Sequence, residues 1–76
     1  MRELVEFLVR ALVEDPAAVS VEEVEENGDI VLEVTVAEDD LGRVIGRGGR
    51  IANALRTIAK AGGTRAERRV IVEILE

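Results

Sequence analysis

The stretch Val44-Ile45-Gly46-Arg47-Gly48-Gly49-Arg50-Ile51 decides how the rest of this 76-residue chain is read. Three glycines in four positions let the backbone come close to a ligand and take conformations closed to other residues. Upstream, Glu38-Asp39-Asp40 places acids where a short helix begins, which its dipole favours, and Leu41-Gly42-Arg43-Val44-Ile45 continues it. Downstream, Arg50 to Ala61 reads as a second helix. Ile51, Leu55 and Ile58 face its core side, while Arg50, Asn53, Thr57 and Lys60 line the other; Gly62-Gly63 should stop it. The glycines therefore join two helices. The free N–H groups that open the second helix point toward the loop, and its dipole favours an anion there. Four backbone N–H groups and the guanidinium forks of Arg47 and Arg50 suit a sugar-phosphate backbone. A Walker A loop would need Gly-Lys-Ser/Thr where Gly49-Arg50-Ile51 stands, and a dinucleotide fingerprint would need a preceding strand and a third glycine at Ile51. A plain helix–helix turn needs one glycine, not three with arginines between them.

Working outward, Arg2 to Glu14 reads as a helix. Glu3, Glu6, Arg10 and Glu14 form one polar stripe, with Glu6 and Arg10 a supporting pair, and apolar residues from Leu4 to Val13 cover the remaining circumference. That arc is about twice the ~100° a core-facing helix needs, which leaves part of it for a partner, beside Phe7 and Ala11. Asp15-Pro16 ends the helix. Val19 to Glu26 is a weaker strand, because Val19, Val21 and Val24 do not share one period-2 phase. Asn27-Gly28 is a type I′ hairpin signal. Asp29 to Ala37 alternates, with Ile30, Leu32, Val34 and Val36 facing one way and Glu33 and Thr35 the other. Arg69 to Leu75 is a last strand, with Val70, Val72 and Ile74 inward. The order α-β-β-α-α-β makes the first two strands antiparallel and brings the third beside the second, parallel and by a right-handed crossover. The chain holds one domain, residues 1–76, with a thin core.

Charge is unevenly placed. Residues 1–41 carry Arg2 and Arg10 against thirteen acids, a net of -11, whereas residues 42–76 carry eight cations against Glu67, Glu73 and Glu76, a net of +5. A basic segment within an acidic protein is a directed feature. With no cysteine and no histidine, disulfides, thiolate metal sites and the commonest general base are excluded. Ser20, Thr35, Thr57 and Thr64 have no histidine to activate them, and the carboxylates read as solvated surface. The sequence therefore points away from an enzyme, a metal and a cofactor. No apolar run approaches the ~20 residues needed to cross a bilayer, which fits a cytoplasmic protein without a membrane partner. The single aromatic, Phe7, lies in an apolar helix face, so rings exposed for base stacking are not expected, which counts against RRM and OB-fold platforms.

Val44-Ile45-Gly46-Arg47-Gly48-Gly49 is similar to the GXXG loop of KH domains, which sits between two helices and holds the backbone of about four nucleotides. The element order resembles the type II, bacterial form: an α+β fold with a three-stranded mixed sheet and helices packed on one face. The whole chain resembles the KhpA family of small bacterial single-KH RNA-binding proteins, most specifically over Gly49-Arg50-Ile51-Ala52-Asn53-Ala54-Leu55-Arg56-Thr57. The resemblance implies single-stranded RNA held by Arg43, Ile45, Gly46, Arg47, Gly48, Gly49, Arg50, Asn53 and Thr57. Two positions depart from common KH patterns: Ala52 stands where an aliphatic residue is frequent, and Asn53 where relatives are often basic. The resemblance further implies an RNA chaperone or post-transcriptional regulator, a homodimer or a pairing with a larger KH-containing protein called KhpB, and a link to cell-wall homeostasis and cell length. The competing expectation is a protein-interaction module that binds RNA usefully only with such a partner.

Overall fold

The computed structural model describes residues 1–65 and 67–75. Helix α1 spans Arg2–Leu12, strands β1 and β2 span Ser20–Glu26 and Asp29–Thr35, helices α2 and α3 span Leu41–Ile45 and Arg50–Arg65, and strand β3 spans Val70–Ile74. Short 3-10 turns at Pro16–Ala18, Glu38–Asp40 and Arg47–Gly49 link them. The sheet order is β1-β2-β3, with β1 antiparallel and β3 parallel to the central β2. This is the α+β, three-stranded mixed sheet that the pattern predicts. Asn27 and Gly28 take φ of 52° and 85°, the two positive values a type I′ turn requires.

The core lies between one sheet face and the helices. Val21, Leu32, Val34 and Val72 from the strands meet Val5 and Val9 of α1, Val44 of α2, and Leu55 and Ala59 of α3. The mixed phase of β1 has a physical cause. Val19 and Val21 are buried with this core, whereas Val24 belongs to the opposite face, in register with Val31, which itself pairs with Ile71. Val31 is 4% exposed, so the sheet carries a second apolar row that simple alternation along β2 did not reveal.

Three expected boundaries are corrected. Helix α1 ends at Leu12 rather than Glu14. The buried Asp40 carboxylate accepts hydrogen bonds from the N–H groups of Glu14 (3.1 Å) and Asp15 (3.1 Å), and Val13 has already turned to extended backbone. Strand β2 ends at Thr35 rather than Ala37, because Ala37 is the extended residue that opens the Glu38–Asp40 turn. Helix α3 continues through Gly62-Gly63 to Arg65. These glycines do not cap the helix; they let other groups pass close to it. A β-carbon on Gly63 would overlap the carbonyl oxygen of Arg68, and one on Gly62 would overlap the Met1 methyl. The core stripe of α3 is also different from that expected. Ala52, Leu55 and Ala59 are buried, and Ile58 is 37% exposed. Small residues let the helix sit close to the sheet.

Candidate nucleic-acid interface

Gly46 ends α2 with φ 76° and ψ 170°, a region that β-carbons exclude, and the Arg47–Gly49 turn follows with Gly48 and Gly49 at φ 64° and 77°. Close approach adds a second demand at Gly46, where a β-carbon would lie 2.7 Å from Ile51 Cγ1 and 2.9 Å from its backbone nitrogen. Gly48 faces open space, and a β-carbon on Gly49 would meet only Asn53 Nδ2 at 3.9 Å. The glycines thus form a close-fitting shelf between two helices, half-buried at Gly46 and Gly49 and exposed at Gly48.

Its N–H groups are not all free for a ligand, contrary to expectation. Gly46 donates to the carbonyl of Gly42 (2.9 Å), Gly49 to that of Gly46 (3.1 Å), and Arg50 to that of Arg47. The Arg47 and Arg50 side chains that flank the loop are exposed. Arg50, Asn53, Thr57 and Lys60 recur on one side of α3 and carry a polar stripe away from the loop. Within that stripe the Thr57 hydroxyl donates to the Asn53 carbonyl (3.0 Å), and Arg56 donates to Asn53 Oδ1 (3.1 Å). Ile45, 37% exposed, supplies an apolar surface where α2 meets the loop. Arg43 is drawn elsewhere. Its Nη2 donates to Glu14 Oε1 at 2.7 Å and its Nη1 lies 3.6 Å from Asp40, so it fastens α2 to the end of α1.

The stripe leads to a groove of about 540 Å³ between α3 and β3. Arg56 and Lys60 line one wall, Arg68 and Arg69 the other, and Val70, Ile71 and Val72 supply an apolar side. Strand β3 is an edge strand, so backbone groups on its outer side are open to a ligand. Arg68 is anchored across the fold: its Nη2 lies 3.1 Å from Glu25 Oε2 and donates to the Gly28 carbonyl at 3.1 Å. Of these groove residues, none was among the site residues singled out in the sequence. The signal was the basic second half of the chain; what was missing was the knowledge that β3 lies against α3.

Beside the apolar row of Val24, Val31 and Ile71, the far side of the sheet carries a row of acids. Glu22 pairs in register with Glu33, and Glu33 with Glu73, so three carboxylates align across the strands. Cations line the groove edge and acids the open face, which orients any polyanion toward the groove. Phe7 corrects another expectation. It is 69% exposed, so a surface ring exists, but it stands on α1, which packs against β1 at the other edge of the sheet.

A family model described as the KhpA/KhpB KH domain matches residues 2–74. The chain belongs to this family. Among curated relatives, RNA-binding protein KhpA of Caldanaerobacter subterraneus is 48% identical over 75 residues, covering 99% of this chain and 100% of the relative. RNA-binding protein KhpA of Clostridium perfringens is 45% identical over the same shares, and that of Aquifex aeolicus is 43% identical, covering 100% of this chain and 96% of the relative. Among solved structures, a crystal structure of Aquifex aeolicus Era superposes with a TM-score of 0.65 at 21% identity, covering 96% of this chain and 28% of Era; that likeness concerns the fold alone. Membership of the KhpA/KhpB KH family agrees with the element order and the sheet topology described above. Among the described residues, no helix is long and apolar enough to cross a membrane.

Proposed function

We propose that the protein binds single-stranded RNA, with the sugar-phosphate backbone against Gly46-Arg47-Gly48-Gly49 and Arg50 and the bases in the groove between α3 and β3. One observation carries this reading: a polar stripe leaves the glycine loop and runs into a groove that is cationic on both walls and apolar along β3. Phosphates are met by guanidinium groups and bases by Val70, Ile71 and Val72, without stacked rings. Bases reach such a surface only when unpaired, which favours single strands. The curated relatives carry the name RNA-binding protein, in agreement. Family membership extends the proposal to a cytoplasmic RNA chaperone or post-transcriptional regulator that pairs with a larger KH-containing protein of the KhpB type and acts in cell-wall homeostasis and cell length. Titration of a fluorescent single-stranded RNA, against the same sequence as a duplex, tests the reading. Saturable binding to the single strand and weaker binding to the duplex are expected; preference for the duplex would contradict it. A second reading, that RNA is bound usefully only by an assembled pair, is favoured by the exposed apolar face of α1. Sedimentation in parallel separates the two.

A further inference from the structure

The helices α1, α2 and α3 all pack on one face of the sheet, so the other face carries a pattern of its own. There the strand register sets out three rows across the strands. Val24, Val31 and Ile71 form an apolar row; Glu22, Glu33 and Glu73 border it on one side, and Glu26 and Asp29 on the other. Val31 is 4% exposed, and Val24 and Ile71 are half-buried beside it. None of these five carboxylates has an ion-pair partner among the described residues. We propose that this face docks a cationic amphipathic helix of another protein, with its apolar stripe on the valine row and its lysines or arginines on the acidic rows.

The alignment works against the isolated chain. Like charges directly opposite one another destabilise a sheet, and here Glu22, Glu33 and Glu73 stand side by side on adjacent strands. Scattered acids would be enough to repel phosphate. Acids set in register on both sides of an apolar row match one kind of occupant. Strand β2 is already paired on both edges, so that occupant meets side chains and does not add a strand there. Neighbouring strands lie ~4.8 Å apart, so the row is about 10 Å long, or about two turns of helix. Apolar residues at i, i+3, i+4 and i+7 cover that length and leave both flanks for cations. The charge opposes RNA and an anionic lipid surface as the occupant. Among the described residues, no three acids are grouped so as to hold a metal ion.

The test uses a synthetic peptide of about 14 residues, with leucine at those spacings and lysine elsewhere, titrated into the full chain and followed by two-dimensional NMR. Saturable binding with a Kd below about 1 mM is expected, with the largest shifts at the amides of Val24, Val31, Glu33 and Ile71. Glu33→Lys, at the centre of the acidic row, should weaken binding at least about tenfold. A scrambled peptide of the same composition, and spermidine, lack the apolar stripe and should bind at least about tenfold more weakly than the patterned peptide. If circular dichroism shows that Glu33→Lys has lost its fold, Glu22→Gln combined with Glu73→Gln decides the matter. No binding up to about 1 mM, or shifts centred on Phe7 of α1, would overturn the proposal. Affinity untouched by the variants would overturn it too, and so would scrambled peptide or spermidine binding as tightly as the patterned peptide. Shifts of the same amides on concentrating the parent chain alone would give the face to a second copy and equally overturn it.

Discussion

Gly46 packs so tightly beneath Ile51 that a β-carbon at position 46 would stand 2.9 Å from the Ile51 backbone nitrogen. The same residue holds φ 76° with ψ 170°, so its two demands, conformational and steric, coincide. Gly46→Ala should therefore cost about 3 kcal/mol or more of stability and displace the start of α3. Gly48→Ala, at φ 64° in open space, should cost only about 1 kcal/mol. Urea denaturation of the two variants checks the difference. Equal costs would mean that the loop adapts around Ile51.

Gly62 and Gly63 should respond in opposite directions to alanine. At Gly62 the obstacle is the terminal methyl of Met1, which can swing away, and alanine is the better helix former by about 1 kcal/mol. Gly62→Ala should be neutral or stabilising. At Gly63 the obstacle is the backbone carbonyl of Arg68, next to the residues that wall the groove. Gly63→Ala should destabilise by about 2 kcal/mol and shift amide resonances of residues 68–72. Thermal melts and a two-dimensional NMR spectrum distinguish these outcomes.

Asp40 is 2% exposed and accepts from two backbone N–H groups that α1 has released. Asp40→Asn keeps the shape but turns one acceptor into a donor facing a donor. The expected loss is about 2 kcal/mol, or roughly 8–16 °C in Tm for a domain of this size. Calorimetry gives the value; a change below about 2 °C would mean that Glu14 and Asp15 find other acceptors.

RNA affinity should fall with salt at a moderate slope. If two to four phosphates are held, the log-log slope for a single strand is roughly -1.4 to -2.8. The aligned Glu22, Glu33 and Glu73 repel further phosphates on the open sheet face. Anisotropy titrations across a salt series measure the slope, and a value near zero would exclude an ionic grip.

Features set by neighbouring residues were legible in the sequence, and features set by distant ones were not. Alternation from Ile30 to Val36, the Asn27-Gly28 turn and the glycine loop are local signals, and each has its counterpart in the structure. Gly62-Gly63 looks like a helix stop because glycine is usually read for its own backbone. Its role here depends on Arg68 and Met1, which the fold brings alongside. Hydrophobicity likewise favours Ile58 as the core residue of α3, but a helix lying close to a sheet buries Ala52 and Ala59 instead. Asp40 reads as a dipole partner for α2, and the structure gives its carboxylate to Glu14 and Asp15, 26 and 25 residues away. The groove joins Arg56 and Lys60 to Arg68 and Arg69 only because β3 returns beside α3. Arg43, expected at the RNA, is held by Glu14 through a pairing that no spacing announces.

The most direct measurement is RNA affinity after replacing Arg47 and Gly48 together with aspartate. Both positions are exposed, Gly48 faces open space, and aspartate tolerates the left-handed backbone there better than most residues do, so the fold should survive. Two carboxylates would then face phosphate where a guanidinium group and bare backbone had stood. Loss of detectable binding to single-stranded RNA, in a protein with native circular dichroism, is the predicted result. Unchanged affinity in that well-folded double variant would contradict the loop as the RNA grip.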